Sequence, residues 1–293
     1  MPIRLTLCVY GKMKCVDYVK VGAMDSSILV FDSGSGGLTV AAEIKKRIPN
    51  IRLSYVSDAG FFPYGKKPHD ILKKRILDVI SKASSLTQPD IIVIACNTAS
   101  TIALDLLRTE LNIPIVGVVP AIKPAASLSK SKVVMVLGTH TTVNSAYVKM
   151  LITNFATECK VLVEDSEVLV LASEQKLLGN GFDPDIVTQE IQRIFSKPDA
   201  FNTDVLVLAC THFPLINAEI KNALPHHVTV IDSGLAIANR THSLLKIEHQ
   251  ACSPILDPEI TFYTTGNVDS EQAKQSKIEA LLQCSIKFKQ LLL

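Results

Sequence analysis

The chain carries one nine-residue phrase twice. Asp90-Ile-Ile-Val-Ile-Ala-Cys96-Asn97-Thr98 and Asp204-Val-Leu-Val-Leu-Ala-Cys210-Thr211-His212 agree almost residue for residue: an acidic residue, an apolar run of strand length, Ala, Cys, then polar residues that open a helix. Such self-similarity reads as two copies of one supersecondary unit. Two similar α/β units that face each other leave a cleft at their interface. The paired cysteines then fall on its opposite walls.

The stretches around the copies agree with this. From Ile28 onward, short runs rich in Val, Ile and Leu alternate with amphipathic stretches, the pattern of parallel strands buried on both faces and joined by helices. Strands are predicted at 28–31, 53–56, 91–95, 115–118, 133–137, 161–163, 205–209 and 228–231, with a further one near 260–263. Leu72, Ile76, Val79, Ile80 and Ala83 mark the inner face of one helix, and Ile102, Leu104, Leu106 and Leu107 lie in another. The expected fold is α/β, two similar domains with mostly parallel sheets and the active site in the interdomain cleft. A proline-marked segment, 119–124, divides them. Residues 24–121 and 233–293 are assigned to the first domain and 122–232 to the second, while the extension 1–23 precedes the first convincing strand and is expected to stand outside the core.

Composition removes other classes. Lysine and arginine (30) barely outnumber aspartate and glutamate (28), so the chain lacks the basic field that nucleic-acid binding uses. The slight excess belongs to residues 1–23, where Arg4, Lys12, Lys14 and Lys20 face only Asp17. The apolar run there, 5–10, is too short for a signal-peptide core or a membrane span. Seven cysteines, an odd number without CxxC or Cys/His metal spacing, argue against a disulfide scaffold or a zinc site. The expectation is a reduced, cytoplasmic protein with no metal, no membrane and no nucleic-acid partner.

In open α/β sheets, ligands sit beyond the carboxyl ends of the strands, and Cys96 and Cys210 both fall there. A helix N-terminus favours a thiolate, so both thiols are expected to titrate below the usual range. One cysteine after an apolar strand is ordinarily core; a matched pair is not explained that way. Two facing thiols can take a proton from one face of a carbon and deliver another to the opposite face, which inverts a stereocentre. The loop Asp32-Ser33-Gly34-Ser35-Gly36-Gly37 reads either as a tight turn or as free N–H groups awaiting a phosphate or carboxylate, although GxGxxG spacing and a P-loop lysine are absent. Asp32 can bind an ammonium or hold a proton donor. Asp58 and Pro63-Tyr64-Gly65 follow the second strand, where the Tyr64 hydroxyl is placed to reach a ligand unless the segment is only a packed turn. Thr139 and Thr142 offer hydroxyls or cap a helix. His212 is a candidate partner for Cys210.

Asp32-Ser33-Gly34, Pro63-Tyr64-Gly65, Cys96-Asn97-Thr98-Ala99-Ser100, Gly138-Thr139 with Thr142, and Cys210-Thr211-His212-Phe213-Pro214-Leu215 stand in the order and rough spacing of the glutamate racemases, a family of the aspartate/glutamate racemase superfamily. The chain resembles that family from about 28 to 234. The resemblance implies cofactor-independent interconversion of L- and D-glutamate, supplying D-glutamate for peptidoglycan precursors. It implies Cys96 and Cys210 as the acid/base pair, assisted by Asp32 and His212. Around the substrate it implies Asp32, Ser33, Pro63, Tyr64, Gly65, Asn97, Thr98, Thr139, Thr142, Thr211 and His212. No lysine stands in a recognisable pyridoxal-phosphate setting, which fits a reaction without a cofactor. Residues 168–179 are similar to the linking segment of the subset that needs a muropeptide-precursor activator; that requirement, and a homodimer, stay open at this point. The alternatives are an aspartate racemase of the same superfamily and a non-catalytic two-domain binding protein. The Pro-Tyr-Gly and Cys-Thr-His-Phe-Pro-Leu strings favour glutamate, and a mere binder has no use for matched thiols.

Overall fold

The apolar runs become strands because helices cover both of their faces. In the computed structural model of the chain, which describes residues 26–179, 181–245 and 259–293, every predicted strand is present. The extension 1–23 and Met24 lie outside the described residues. The strands are β1 (Ser27–Asp32), β2 (Arg52–Ser57), β3 (Ile91–Ile94), β4 (Ile115–Gly117), β5 (Val133–Gly138), β6 (Lys160–Asp165), β7 (Val205–Ala209), β8 (Thr229–Ile231), β9 (Ile260–Thr264) and β10 (Ile286–Gln290). β10 was not anticipated. Its Lys287 and Lys289 break the apolar run, a composition that suits the sheet edge it occupies.

Six strands form one sheet in the order β10-β9-β2-β1-β3-β4, and four form another in the order β6-β5-β7-β8. All these pairings are parallel. The second sheet therefore repeats the β2-β1-β3-β4 part of the first, with β5 in the place of β1 and β7 in the place of β3. In this order the winding reverses between the first and third strands of each unit, and the diverging loops leave a crevice at the carboxyl ends. Cys96 follows β3 and Cys210 follows β7, so the doubled phrase is a doubled topological position.

The acidic residue of the phrase has its own task. Asp90 accepts the Ser27 N–H at 2.8 Å and the Ser27 hydroxyl at 3.2 Å. Asp204 accepts the Ser129 hydroxyl at 2.6 Å and the Lys130 and Ser131 N–H groups at 2.7 and 2.8 Å. Each clamps the amino end of β3 or β7 to the start of β1 or β5, at the end of the sheet remote from the thiols.

Helices His69–Thr87 and Asn97–Glu110 cover one face of the six-stranded sheet, and helices Leu38–Arg47, Gly234–Leu245 and Gln275–Leu282 cover the other. Leu72, Ile76, Val79, Ile80 and Ala83 are all buried, as their spacing predicts. In Asn97–Glu110 the fully buried face is Ala99, Ser100, Ala103 and Leu107; Ile102, Leu104 and Leu106 are only half-buried. All four residues expected in a helix lie in this one, and Leu104 packs onto Gly117, where a Cβ would lie 2.6 Å from its Cδ2. Among the described residues no helix is long and apolar enough to cross a membrane.

The Asp204 clamp makes a pH-dependent contribution to stability. Burial works to raise its carboxyl, but the Ser129 hydroxyl and the Ser131 and Lys130 N–H groups bring it down from 3.8 to about 2. A carboxyl held low only in the fold adds stability above about pH 4 that is lost as the pH falls towards 2. Asp204→Asn is expected to unfold at lower urea than the parent at pH 7 and to match it at pH 2. An equal deficit at both values would show that the clamp does not depend on charge.

Candidate active site

Where the carboxyl ends of the two sheets meet lies a cleft of about 550 Å³, its open mouth included. The first sheet contributes Ser33, Pro63, Tyr64, Gly65, Cys96, Asn97 and Thr98 to the lining; the second contributes Thr139, Cys210, Thr211 and His212. Both thiols thus face one space. Asp32 and Thr142 do not line it, and both are fully buried behind it.

Cys96 caps the helix Asn97–Glu110, its sulfur accepting the Ala99 N–H at 3.4 Å and its thiol donating to the Ser33 hydroxyl at 3.6 Å. The helix end does not lower its pKa as the sequence suggested. Burial, with the nearby Asp32 charge, pushes the thiol up to about 12 against the opposing pull of Ala99 and Ser33, because desolvation of a thiolate outweighs a helix end when no water is near. Cys210 has a different neighbour. It is followed by a 3₁₀ turn, Phe213–Ile216, rather than by an α-helix, and its Sγ lies 3.8 Å from His212 Nδ1.

His212 is buried, with its Nε2 2.8 Å from Glu174 Oε1 and its ring 5.5 Å from that of Phe62. Burial alone would discharge the imidazole, but hydrogen bonds and charge from Cys210 and Glu174 hold its pKa well above the ordinary histidine value. Glu174 is held low in turn: burial opposes ionisation, and His212 and Lys274 overcome it. Glu174 lies within 168–179, the stretch likened to an activator-linked segment, and was not singled out. Helix Glu167–Leu178 buries Leu169, Val170, Ala172 and Ser173 as well as Leu177, so apolar residues surround it, and a carboxylate in such a helix signals a buried partner.

Asp32 accepts the Gly34 N–H and the Thr211 hydroxyl, each at 2.8 Å, and the Ser33 hydroxyl at 3.4 Å. Burial raises its pKa against the pull of His212. The glycine loop does hold anions, but they are the chain's own: Gly34 N–H serves Asp32, and Ser35 N–H serves Glu174 at 2.8 Å. The expected free anion site is corrected at these two N–H groups. Tyr64 is corrected too. Its hydroxyl donates to the buried Asp58 at 2.6 Å, where Arg75 and Thr265 also bind, so its proton is not free for a ligand although Tyr64 lines the cleft.

The hydroxyls of Thr98, Thr139 and Thr142 form a triangle with sides of 2.9, 3.3 and 2.9 Å, and Thr139 also caps the short helix His140–Val143. At the mouth, Lys66 pairs with Glu167, and His140 lies 3.5 Å from Asp165; these residues, with Phe62 and Val170, line the cleft without having been singled out. Asn97 Oδ1 is buried and has no hydrogen-bond partner among the described residues. A buried acceptor left open inside a cleft suits a donor brought by a ligand. Among the described residues no cluster of three His, Cys, Asp or Glu side chains is arranged to hold a metal ion.

Residues 40–241 match the family model described as Asp/Glu/Hydantoin racemase. The glutamate racemase of Photorhabdus laumondii is 44% identical over 247 residues, 84% of this chain and 84% of that protein. That of Brucella anthropi is 43% identical over 80% of this chain and 86% of its own length. Among solved structures, Escherichia coli glutamate racemase with L-glutamate and the activator UDP-MurNAc-Ala superposes with a TM-score of 0.82 at 33% identity, covering 91% of this chain and 98% of that one. Francisella tularensis glutamate racemase with D-glutamate gives 0.73 at 27% identity over 92% and 98%.

The approach of the two halves depends on Gly36. A Cβ there would lie 2.5 Å from His212 Nδ1 and 2.7 Å from both Thr211 Oγ1 and the His212 backbone nitrogen. Gly36→Ala is expected to cost about 1–3 kcal/mol by urea unfolding and to move the His212 imidazole signals in an NMR spectrum. Unchanged stability and unchanged signals would contradict this packing.

Proposed function

The chain belongs to the Asp/Glu/Hydantoin racemase family, and on that premise we propose that it racemises glutamate without a cofactor, using Cys96 and Cys210 as its two acid/base groups. The observation that carries the reading is that both thiols, from equivalent positions of the two sheets, line a single cleft. One half of the protein, 24–121 with 233–293, supplies the first thiol, and 122–232 supplies the second.

In each turnover one sulfur acts as thiolate and removes the α-proton from one face of the substrate. The other acts as thiol and gives its proton to the opposite face, so the pair ends with thiolate and thiol exchanged. Cys96, held near 12 by burial, suits the resting acid. At Cys210 the positive imidazole of His212 faces the sulfur and offsets the charge of a thiolate. An amino-acid α-proton is weakly acidic, so a dry cleft and fixed donors must stabilise the carbanionic transition state. Thr98 and Thr139 provide hydroxyls for the carboxylates, while the Ser33 and Thr211 hydroxyls, whose protons go to Asp32, and the open Asn97 Oδ1 accept from the ammonium. Asp32, behind the lining, positions Ser33 and Thr211 rather than touching substrate. D-Glutamate formed in this way supplies peptidoglycan precursor synthesis. Glutamate is chosen over aspartate because the matched relatives are glutamate racemases and two neighbours hold L- and D-glutamate.

The purified chain, without added cofactor, is expected to abolish the circular dichroism of L-glutamate and to leave that of L-aspartate largely intact. Cys96→Ser and Cys210→Ser should each lower kcat/KM by about 10²–10⁴-fold. Faster turnover of aspartate overturns the substrate assignment, and wild-type rates in both variants overturn thiol catalysis. Adding UDP-MurNAc-Ala, the activator in the Escherichia coli structure, reads the activator requirement in the same assay.

A further inference from the structure

Lys274 lies between helices Val268–Gln272 and Gln275–Leu282 and is absent from the cleft lining, yet it is only 8% exposed. An ammonium is buried at this depth only against partners. Its Nζ donates to Glu174 Oε2 at 2.8 Å, to the Ser35 hydroxyl at 3.0 Å, and to the two Glu271 oxygens at 3.4 and 3.2 Å. The other oxygen of Glu174 meets the Ser35 N–H and His212 Nε2, both at 2.8 Å. Ammonium, carboxylate, imidazole and thiol therefore stand in one line of contacts that ends at Cys210 Sγ. Around Glu174 are Asp32 at the end of β1, Tyr55 on β2, Glu271 on Val268–Gln272, and His212 and Lys274. Two of these are cations, and Lys274 is bonded to both Glu174 and Glu271. Removing it takes from two buried carboxylates the cation they share, and loosens the Glu174 oxygen that does not meet His212.

We propose that Lys274 is a positioning residue for the second thiol, fixing His212 against Cys210 through Glu174 and so making the C-terminal helices part of the catalytic apparatus. The inference rests on the two-thiol reading above for its catalytic consequence and on geometry alone for its structural one. Cys96 instead meets the Ser33 hydroxyl and the Ala99 N–H, and through Ser33 the carboxylate of Asp32, with no cation in that line among the described residues.

Lys274→Met and Lys274→Gln, the second keeping a donor without the charge, are compared with Lys274→Arg in the full-length chain. Displacing a catalytic group by a fraction of a contact distance costs about 10- to 100-fold, so kcat for glutamate should fall by that factor in the two neutral variants with KM within about twofold, and recover in Lys274→Arg. On a Glu174→Gln background, Lys274→Met should add little, because the path is already cut. The downfield proton of the His212–Glu174 hydrogen bond, read by NMR without substrate, should be present in the wild type and in Lys274→Arg and displaced or absent in the neutral variants. Equal factors for Lys274→Met in both backgrounds, a rise in KM alone, or an unmoved His212 proton overturns the inference. A wild type that does not racemise glutamate overturns the functional reading instead, and the His212 proton still decides the positioning claim.

Discussion

The cleft is organised around the carboxylate of Glu174. It sits on a helix of the second half, its side chain 13% exposed, and a carboxylate so placed must be paired on both oxygens or give up its charge. Its partners come from three other parts of the chain: Ser35 in the loop after β1, His212 after β7, and Lys274 near the C-terminus. Satisfying one buried charge therefore fixes the loop of the first sheet, the imidazole of the second and the C-terminal helices relative to one another. The helix itself straddles the boundary, with Leu169, Val170 and Ala172 in a core of the four-stranded sheet and Leu177 in a core of the six-stranded sheet. The Thr211–Asp32 hydrogen bond and the hydroxyl triangle of Thr98, Thr139 and Thr142 add further cross-links at the same level.

The topology is duplicated, but the chemistry around the two thiols is not. Cys96 has a helix end, a hydroxyl and deep burial; Cys210 has a 3₁₀ turn and a charged histidine. Duplication supplied two equivalent strand ends pointing at one space. Divergence of the loops then left one sulfur buried beside a hydroxyl and the other beside an imidazole. In the proposed reaction each sulfur must serve in both roles, as base towards one enantiomer and as acid towards the other.

Legibility in the sequence followed the range of the interaction. β1, β3 and β7, buried throughout, show as unbroken apolar runs, and the inner face of His69–Thr87 shows as helical spacing, since both are local patterns. The thiols were visible because their neighbourhoods repeat. β10 was not visible, because an edge strand paired on one side needs no continuous apolar run. In the glycine loop an anion was legible but not its source: two N–H groups bind the chain's own carboxylates, Asp32 and Glu174, and the second lies 139 residues away. The Tyr64 hydroxyl was misassigned because its acceptor, Asp58, is itself set by Arg75 and Thr265, the latter 207 residues from it. Lys274 reads as a surface lysine until folding brings Glu174, 100 residues distant, against it.

Two groups acting on opposite faces of one carbon leave an isotopic trace that a single group does not. In a reaction started from L-glutamate in deuterium oxide and stopped at low conversion, the D-glutamate formed is expected to carry solvent deuterium at Cα. The recovered L-glutamate should carry almost none, because the sulfur that protonates the product is not the one that received the substrate's proton. Comparable deuterium in recovered L-glutamate and in D-glutamate would mean that one base serves both faces, and would contradict the assignment of Cys96 and Cys210 to opposite sides of the substrate.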